Sequence, residues 1–182
     1  MKICFTDIDG VLNNRSCYFP GNQHPKYGRN PDPKCVAALN WLCEKTGAQI
    51  VVSSTWRIGG LDLMRETINS HWGVNGPVID VTPRLLDYRG DITLSVPRGR
   101  EIQAWLDRRK QDYAHCGGHW GDVDRFVILD DDSDMEHLLP HLVKTDFEHG
   151  LTMEKAADAA KVLDGFKTCG GRGLVWPEKR AV

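Results

Sequence analysis

These 182 residues lack several features that would identify a membrane protein, a polyanion-binding protein or a secreted disulfide-rich domain. No apolar run approaches membrane length, and the formal net charge of -2 gives no global sign of a polyanion-binding protein. The six cysteines form no CxxC pair and no compact framework, which favours reduced thiols over a disulfide-rich secreted domain. Asp7 follows the start of the chain too early for a signal peptide. We therefore expect a cytoplasmic protein that does not enter a membrane.

Internal repeats and low-complexity segments are also lacking, and the composition is that of an ordinary globular domain. Hydrophobic residues make up 41% of the chain and charged residues 26%, and the length is sufficient to bury one core. We expect a single domain over residues 1–166 and a C-terminal tail over 167–182. Two polar or irregular insertions, 14–33 and 83–97, interrupt that domain.

Short β-rich runs alternate with amphipathic helical patterns along the whole domain. Such alternation predicts an α/β fold, in which a doubly wound parallel sheet of about five strands has helices on both faces. The predicted strands cover 2–6, 48–54, 77–82, 125–131 and 141–146, and the predicted helices cover 34–46, 61–73, 100–110 and 152–166.

Polar side chains follow three of the predicted strands. The end of the first strand carries Asp7 and Asp9, the end of the second carries Ser53, Ser54 and Thr55, and the end of the fourth carries Asp130, Asp131 and Asp132. Because ligands bind at the carboxyl ends of parallel strands, these groups are expected to converge there if the first and fourth strands are neighbours. A cluster of carboxylates repels itself unless a cation neutralises it, and a set of oxygen ligands alone favours Mg²⁺. A lone Asp after a strand usually only begins a turn, so the argument depends on both clusters.

Four segments, taken together, resemble the motifs of haloacid-dehalogenase-type (HAD) phosphatases. DIDGVLN resembles their first motif, DxDGx[TV]; SSTW resembles the second; the basic start of RGREIQAWL fits the third; and FVILDDD resembles the fourth. More narrowly, SSTWR, the RGxEIxxWL pattern, LDD and the late GLT (150–152) resemble the HAD domains of Swiss Army Knife RNA repair proteins and of phage polynucleotide kinase/phosphatase enzymes. The resemblance implies a HAD-like Rossmannoid fold with a minimal cap.

The same resemblance implies catalytic roles for the two acids of the first motif. Asp7 would attack phosphorus and form an aspartyl-phosphate, which divides one difficult step into two. Asp9 would protonate the leaving oxygen and later accept a proton from water. Gly10 would let the backbone turn away beneath the phosphate.

The other motifs supply phosphate contacts and metal ligands by the same resemblance. Ser54, preferred to Ser53, would hydrogen-bond a phosphoryl oxygen, and Arg98, preferred to Arg100, would stabilise the transition state. Mg²⁺ would be held by the Asp7 carboxylate, the Asp9 carbonyl and Asp130, with Asp131 in support. Thr55, Trp56 and Arg57 would contact the substrate, the last two by holding a base.

A Mg²⁺-dependent phosphomonoesterase is therefore the expected function, and the motifs fit several alternatives less well. A dehalogenase does not need the acid at Asp9, and phosphoryl carriers like the P-type ATPases typically have Thr there. A receiver-like module, which is not an enzyme, carries its phospho-accepting Asp at the end of a middle strand. A non-catalytic phosphate-binding relative does not need all four motifs.

The substrate is expected to be a phosphate at the end of an RNA or DNA strand. The two insertions are too short to fold into a cap domain that encloses a small substrate. The mild net charge suits contact with only a few nucleotides. Hydrolysis of free nucleotides or of small metabolites is the alternative.

Overall fold

A five-stranded parallel sheet forms the centre of the computed structural model, which describes residues 1–89, 92–115, 122–168 and 175–177. The strands in chain order are β1 (Lys2–Thr6), β2 (Gln49–Val52), β3 (Val78–Val81), β4 (Arg125–Asp130) and β5 (Leu142–Lys144). Their order across the sheet is β3-β2-β1-β4-β5. β1 therefore lies between β2 and β4, and the carboxyl ends of these three strands meet at one edge.

Helices cover both faces of the sheet, which confirms the predicted doubly wound α/β fold. They are α1 (Pro33–Thr46), α2 (Gly60–Arg65, continued as π-helical turns over Glu66–His71), α3 (Arg98–His115) and α4 (Met153–Leu163). One buried core joins residues of α1, α2 and α4 to one face of the sheet. A second core packs Ile102 and Trp105 of α3 against Phe5 and Ile128 on the other face.

Capping groups determine where the helices begin and end, and some of these groups are distant in the sequence. α1 begins where the Asp32 carboxylate accepts a hydrogen bond from Lys34 N (2.7 Å), and it ends before Gly47, as its sequence predicts. α3 begins at Arg98, two residues before the predicted start. The carboxylate that accepts its first free N–H belongs to Asp134 (2.7 Å), which lies 36 residues away, so no local pattern could reveal this start.

Both insertions contain regular structure. Segment 14–33 includes a 3₁₀ helix (Arg15–Tyr18) and a hairpin in which Gln23–His24 pairs with Gly28–Arg29. Segment 83–97 includes a hairpin in which Leu86–Arg89 pairs with Ile92–Ser95. We call segment 14–33 the flap. Within the described residues, neither insertion adds a separate layer to the domain.

At the C-terminal end, Phe166–Thr168 pairs with Val175–Pro177 in an antiparallel ladder. Thr168 is buried and its hydroxyl donates to Leu139 O (2.9 Å), so the start of the predicted tail packs on the domain. Cys4, Cys17, Cys35 and Cys43 are buried and unpaired, and the other two cysteines lie outside the described residues. None of the described helices is both long enough and apolar enough to span a membrane.

Candidate active site

Three carboxylates meet where β1 and β4 end. Asp7 directly follows β1 and donates its N–H to Leu129 O of β4 (2.9 Å), and Asp130 is the last residue of β4. One carboxylate oxygen from each of Asp7, Asp130 and Asp131 lies within 4.8 Å of the others. The parallel pairing of β1 with β4 thus brings together acids that are more than 120 residues apart in the chain.

Gly10 makes room for this cluster. Its φ of +72° is a left-handed conformation that favours glycine, and a Cβ at this position would lie 2.2 Å from Cγ of Asp131. The chain can therefore turn away from β1 only with a glycine here, because any side chain would displace the Asp131 carboxylate.

Burial and mutual repulsion disfavour ionisation of these acids. Burial, and then the neighbouring charge of Asp7, raises the pKa of Asp130 well above its ordinary value. Burial also raises the pKa of Asp7, although a hydrogen bond from Ser54 and the charge of Arg98 oppose it. Burial raises the pKa of Asp131 as well.

A divalent cation fits this donor set. The three groups offer only oxygen atoms, which are the ligands of Mg²⁺, and a cation among them would remove the repulsion that raises their pKa values. The cluster found among the described residues does not include the Asp9 carboxylate. The Asp9 side chain can therefore have a different role from the other three acids.

The two serines after β2 have different environments. The Ser54 side chain hydrogen-bonds Asp7 and also accepts from Trp56 N (3.3 Å). The Ser53 hydroxyl is buried without a hydrogen-bond partner in the described structure. Ser54 is thus the serine that contacts the first motif, and Thr55 next to it is exposed.

Of the two candidate arginines, only Arg98 lies beside the carboxylates. Its Nε is 3.9 Å from Asp130 Oδ2, and its Nη1 is 3.1 Å from Glu101 Oε2. Arg100 instead pairs with Glu136 at the surface. Gly99 allows the first turn of α3 to approach this edge, since a Cβ there would lie 2.4 Å from Met135 O.

The Asp9 carboxylate is held by three donors. Its Oδ1 accepts from Tyr18 Oη (2.7 Å) and Asn13 Nδ2 (3.2 Å), and its Oδ2 accepts from Trp56 Nε1 (2.9 Å). Two of these donors lie in or beside the flap, and the third follows β2. The flap therefore helps to orient an acid of the first motif.

Neither Trp56 nor Arg57 has the environment expected of a base-holding residue. The Trp56 ring lies against the Gly28 backbone and meets Trp72 edge to face (5.7 Å between centroids), and its N–H is bonded to Asp9. The Arg57 side chain is only 6% exposed and pairs with Glu101 at 2.6 Å. Its guanidinium also donates to the carbonyls of Ser54, Thr82 and Pro83. These contacts give Arg57 a structural role, and its contact with a substrate stays a prediction.

A comparison with protein-family models adds evidence to this geometry. The model described as the HAD domain in Swiss Army Knife RNA repair proteins matches residues 3–156. The chain belongs to this family. A search of curated proteins and a search of solved structures found no significant match.

Family membership confirms the resemblance inferred from the four motifs. This HAD domain is thereby assigned to a superfamily of hydrolases whose members generally use Mg²⁺, in keeping with its acidic cluster. Its matched span contains every site residue discussed so far, from Asp7 to Asp131.

Sequence reasoning missed three residues of the HAD site. Glu101 bridges Arg57 and Arg98, and its spacing of three residues from Arg98 on a helix was the available signal. Asn13 and Tyr18 bind Asp9. Nothing in the local pattern distinguishes Tyr18 from other residues of an irregular insertion.

We predict that the stability of the metal-free protein falls as the pH rises from about 4, the ordinary carboxyl pKa, to neutrality. Across this window the folded protein retains protons on Asp7 and Asp130 that the unfolded chain has lost. Because the folded state then binds more protons, raising the pH favours unfolding. Urea denaturation in chelator at a series of pH values measures this effect.

The variant Asp130→Asn supplies the comparison. It should be more stable than the wild type in chelator at neutral pH and should show a flatter pH profile. A wild-type stability that rises steadily between pH 5 and 8 would contradict this account of the cluster.

Proposed function

We propose that this HAD domain is a Mg²⁺-dependent phosphomonoester hydrolase that acts through an aspartyl-phosphate. The observation that carries the proposal is the placement of Asp7 between Ser54, Arg98 and Asp130, with Asp9 held separately two residues further on. A nucleophile, two stabilising donors and a second acid are the components that this chemistry requires.

In the first step, an Asp7 oxygen attacks phosphorus while the bond from phosphorus to the ester oxygen breaks. Asp9 gives its proton to that leaving oxygen. In the second step, the Asp9 carboxylate takes a proton from water, and the water oxygen displaces Asp7 from phosphorus and releases inorganic phosphate. Ser54 and Arg98 stabilise the charge on the phosphoryl oxygens.

The partners of Asp9 suit such a proton carrier. As an anion, Asp9 accepts from Asn13, Tyr18 and Trp56. A hydroxyl can reverse its role and accept a hydrogen bond, whereas the Trp56 and Asn13 N–H groups can only donate. Tyr18 can therefore accommodate the protonated form of Asp9, and Asn13 can do so only if its amide turns to present its oxygen.

Mg²⁺ would be held by the Asp7 and Asp130 carboxylates and the Asp9 carbonyl, with Asp131 in support. When bound, it would supply positive charge against the carboxylates and the phosphoryl oxygens. The carboxylates whose pKa values are raised by burial support this assignment, because their ionised forms require a neighbouring cation.

The substrate that we propose is the terminal phosphate of an RNA or DNA strand. The family description names RNA repair proteins, and the short insertions leave space for a chain end at the site. A free nucleotide is the second candidate, because the cavity beside Arg98 has a volume of only about 200 Å³. We place the reaction in the cytoplasm, where the buried unpaired cysteines remain reduced.

We predict that Asp7→Asn and excess EDTA each nearly abolish hydrolysis of nitrophenyl phosphate. The variant lacks an anionic nucleophile, and each tenfold loss corresponds to about 1.4 kcal/mol of barrier. Asp62→Asn, which alters a fully exposed carboxylate, is the matched control. Thermal denaturation provides a second measurement: Mg²⁺ should raise the Tm of the wild type at neutral pH and should not raise that of Asp130→Asn. Full activity of Asp7→Asn or in EDTA would refute the mechanism.

We predict that Trp56→Phe lowers kcat more for substrates with poor leaving groups than for nitrophenyl phosphate. Phenylalanine keeps an aromatic ring but cannot donate to Asp9, and the poor leaving groups need a proton from that acid. The difference should be roughly tenfold, as expected for one hydrogen bond to a charged group. Equal losses for both substrates would show that Trp56 does not act through Asp9.

We predict that kcat/KM for a phosphorylated oligonucleotide exceeds that for the matching mononucleotide. Both the 3′- and the 5′-phosphorylated forms should be measured, in RNA and in DNA. A ratio below one in every pair would identify a nucleotide or metabolite phosphatase instead.

A further inference from the structure

A cleft opens beside Arg98, between the turn that follows β2 and the second insertion. Its volume is about 200 Å³. Its wall includes Thr55, Ile58, Arg84, Leu85, Val96 and Arg98. We call it the Arg84 cleft.

We propose that the Arg84 cleft binds the nucleotide next to the terminal phosphate, with Arg84 as the ligand of its phosphodiester. This inference rests on the proposed function, because it names how that site would hold a nucleic-acid end. It assigns the recognition of the strand to the second insertion rather than to Trp56 and Arg57.

The charge of the wall favours an anion. Three arginines and two carboxylates line the cleft, namely Arg57, Arg84, Arg98, Glu101 and Asp134. Both carboxylates are already engaged, since Glu101 pairs with two of the arginines and Asp134 accepts from the first N–H of α3. The remaining charge at the cleft is therefore positive.

Arg84 is the side chain that this arrangement leaves available. It is exposed, and it makes no hydrogen bond or ion pair with any residue that the structure describes. The guanidinium can thus turn towards a phosphodiester without breaking an existing contact, and it matches phosphate oxygens with two parallel donors.

The cleft is continuous with the reaction centre. Arg98 forms part of its wall while its Nε lies 3.9 Å from Asp130, and Thr55 of the wall follows Ser54, the serine bonded to Asp7. A substrate whose terminal phosphate lies at Asp7 would therefore place the rest of its chain at the mouth of this cleft.

The size and the apolar part of the wall limit the occupant to one nucleotide unit. Enclosed sites for drug-sized ligands span about 300–1,000 Å³, which is larger than this cleft. Ile58, with 71% of its surface exposed, and the nearby Leu85 and Val96 offer apolar contact for a sugar or base. Arg84 supplies the charge for the phosphate between the units.

The test compares Arg84→Gln and Arg84→Lys with the wild type on three substrates: nitrophenyl phosphate, a nucleoside monophosphate and the corresponding phosphorylated dinucleotide. We expect Arg84→Gln to raise KM for the dinucleotide roughly threefold to tenfold, as for one partly exposed charged contact, with little change in kcat. The other two substrates should keep their KM values, and Arg84→Lys should recover part of the loss. Arg108→Gln is the matched control, because Arg108 is an exposed arginine of α3 that pairs with Asp80 of β3.

Binding of a phosphorylated oligonucleotide to the Asp7→Asn protein, measured by fluorescence anisotropy, supplies an independent result. Adding Arg84→Gln to this protein should weaken binding and reduce the salt slope of log K by about 0.7, the value for one phosphate contact on a single strand.

Unchanged binding, or equal changes in KM for all three substrates, would overturn the cleft proposal. If the wild type hydrolyses nitrophenyl phosphate while Arg84→Gln changes no oligonucleotide measurement, the cleft proposal fails and the phosphatase proposal stands. If no monoester is hydrolysed, the proposed function fails, and the binding measurement still decides the role of Arg84.

Discussion

Repulsion among carboxylates at one edge of the sheet is the constraint on which the rest of this site depends. Asp7, Asp130 and Asp131 place oxygen atoms within 4.8 Å of one another at the edge of the sheet. Burial raises the pKa values of all three, so their ionised forms need compensating charge or hydrogen bonds. Arg98 and Ser54 supply part of that compensation to Asp7. Such a cluster is poorly suited to stabilising a fold by itself, which supports the proposed binding of a cation and a phosphoryl group.

A buried ion-pair network connects this cluster to the second insertion. Glu101 pairs with Arg57 and Arg98, and Arg57 in turn donates to carbonyls that follow β3 and β2. Because Arg57 and Glu101 are almost fully buried, loss of either partner would leave an uncompensated charge in the interior. The network therefore holds the start of α3, and with it Arg98, at a fixed position relative to the carboxylates. The same three residues line the Arg84 cleft.

Asp9 and Asp7 are only two residues apart and yet have different surroundings. Asp7 lies among the buried acids, whereas the Asp9 carboxylate is bound by donors from the flap and from the turn after β2. Two acids in one short motif can thus serve as nucleophile and proton carrier, because the fold gives each a separate set of partners. Stacking of His24, Tyr27 and His71 and the Lys26–Glu66 ion pair attach the flap to α2 and its π-helical extension. Within the flap itself, the Arg29 guanidinium lies over the Tyr18 ring, 3.8 Å from its centroid.

The sequence by itself determined the order of strands and helices, the doubly wound sheet and the family, because hydrophobic periodicity, caps and strand-end motifs are local. It also placed Asp7 and Asp130 at one sheet edge, since parallel strands end on the same side. Tertiary structure alone decided what each side chain contacts: that Trp56 binds Asp9, that Arg57 is buried against Glu101, and that Asp134 begins α3 two residues early. These contacts join residues 36 to 47 positions apart, and no periodic pattern encodes them. Their formation depends on how the loops at the sheet edge pack, and that packing also creates the cleft beside Arg84.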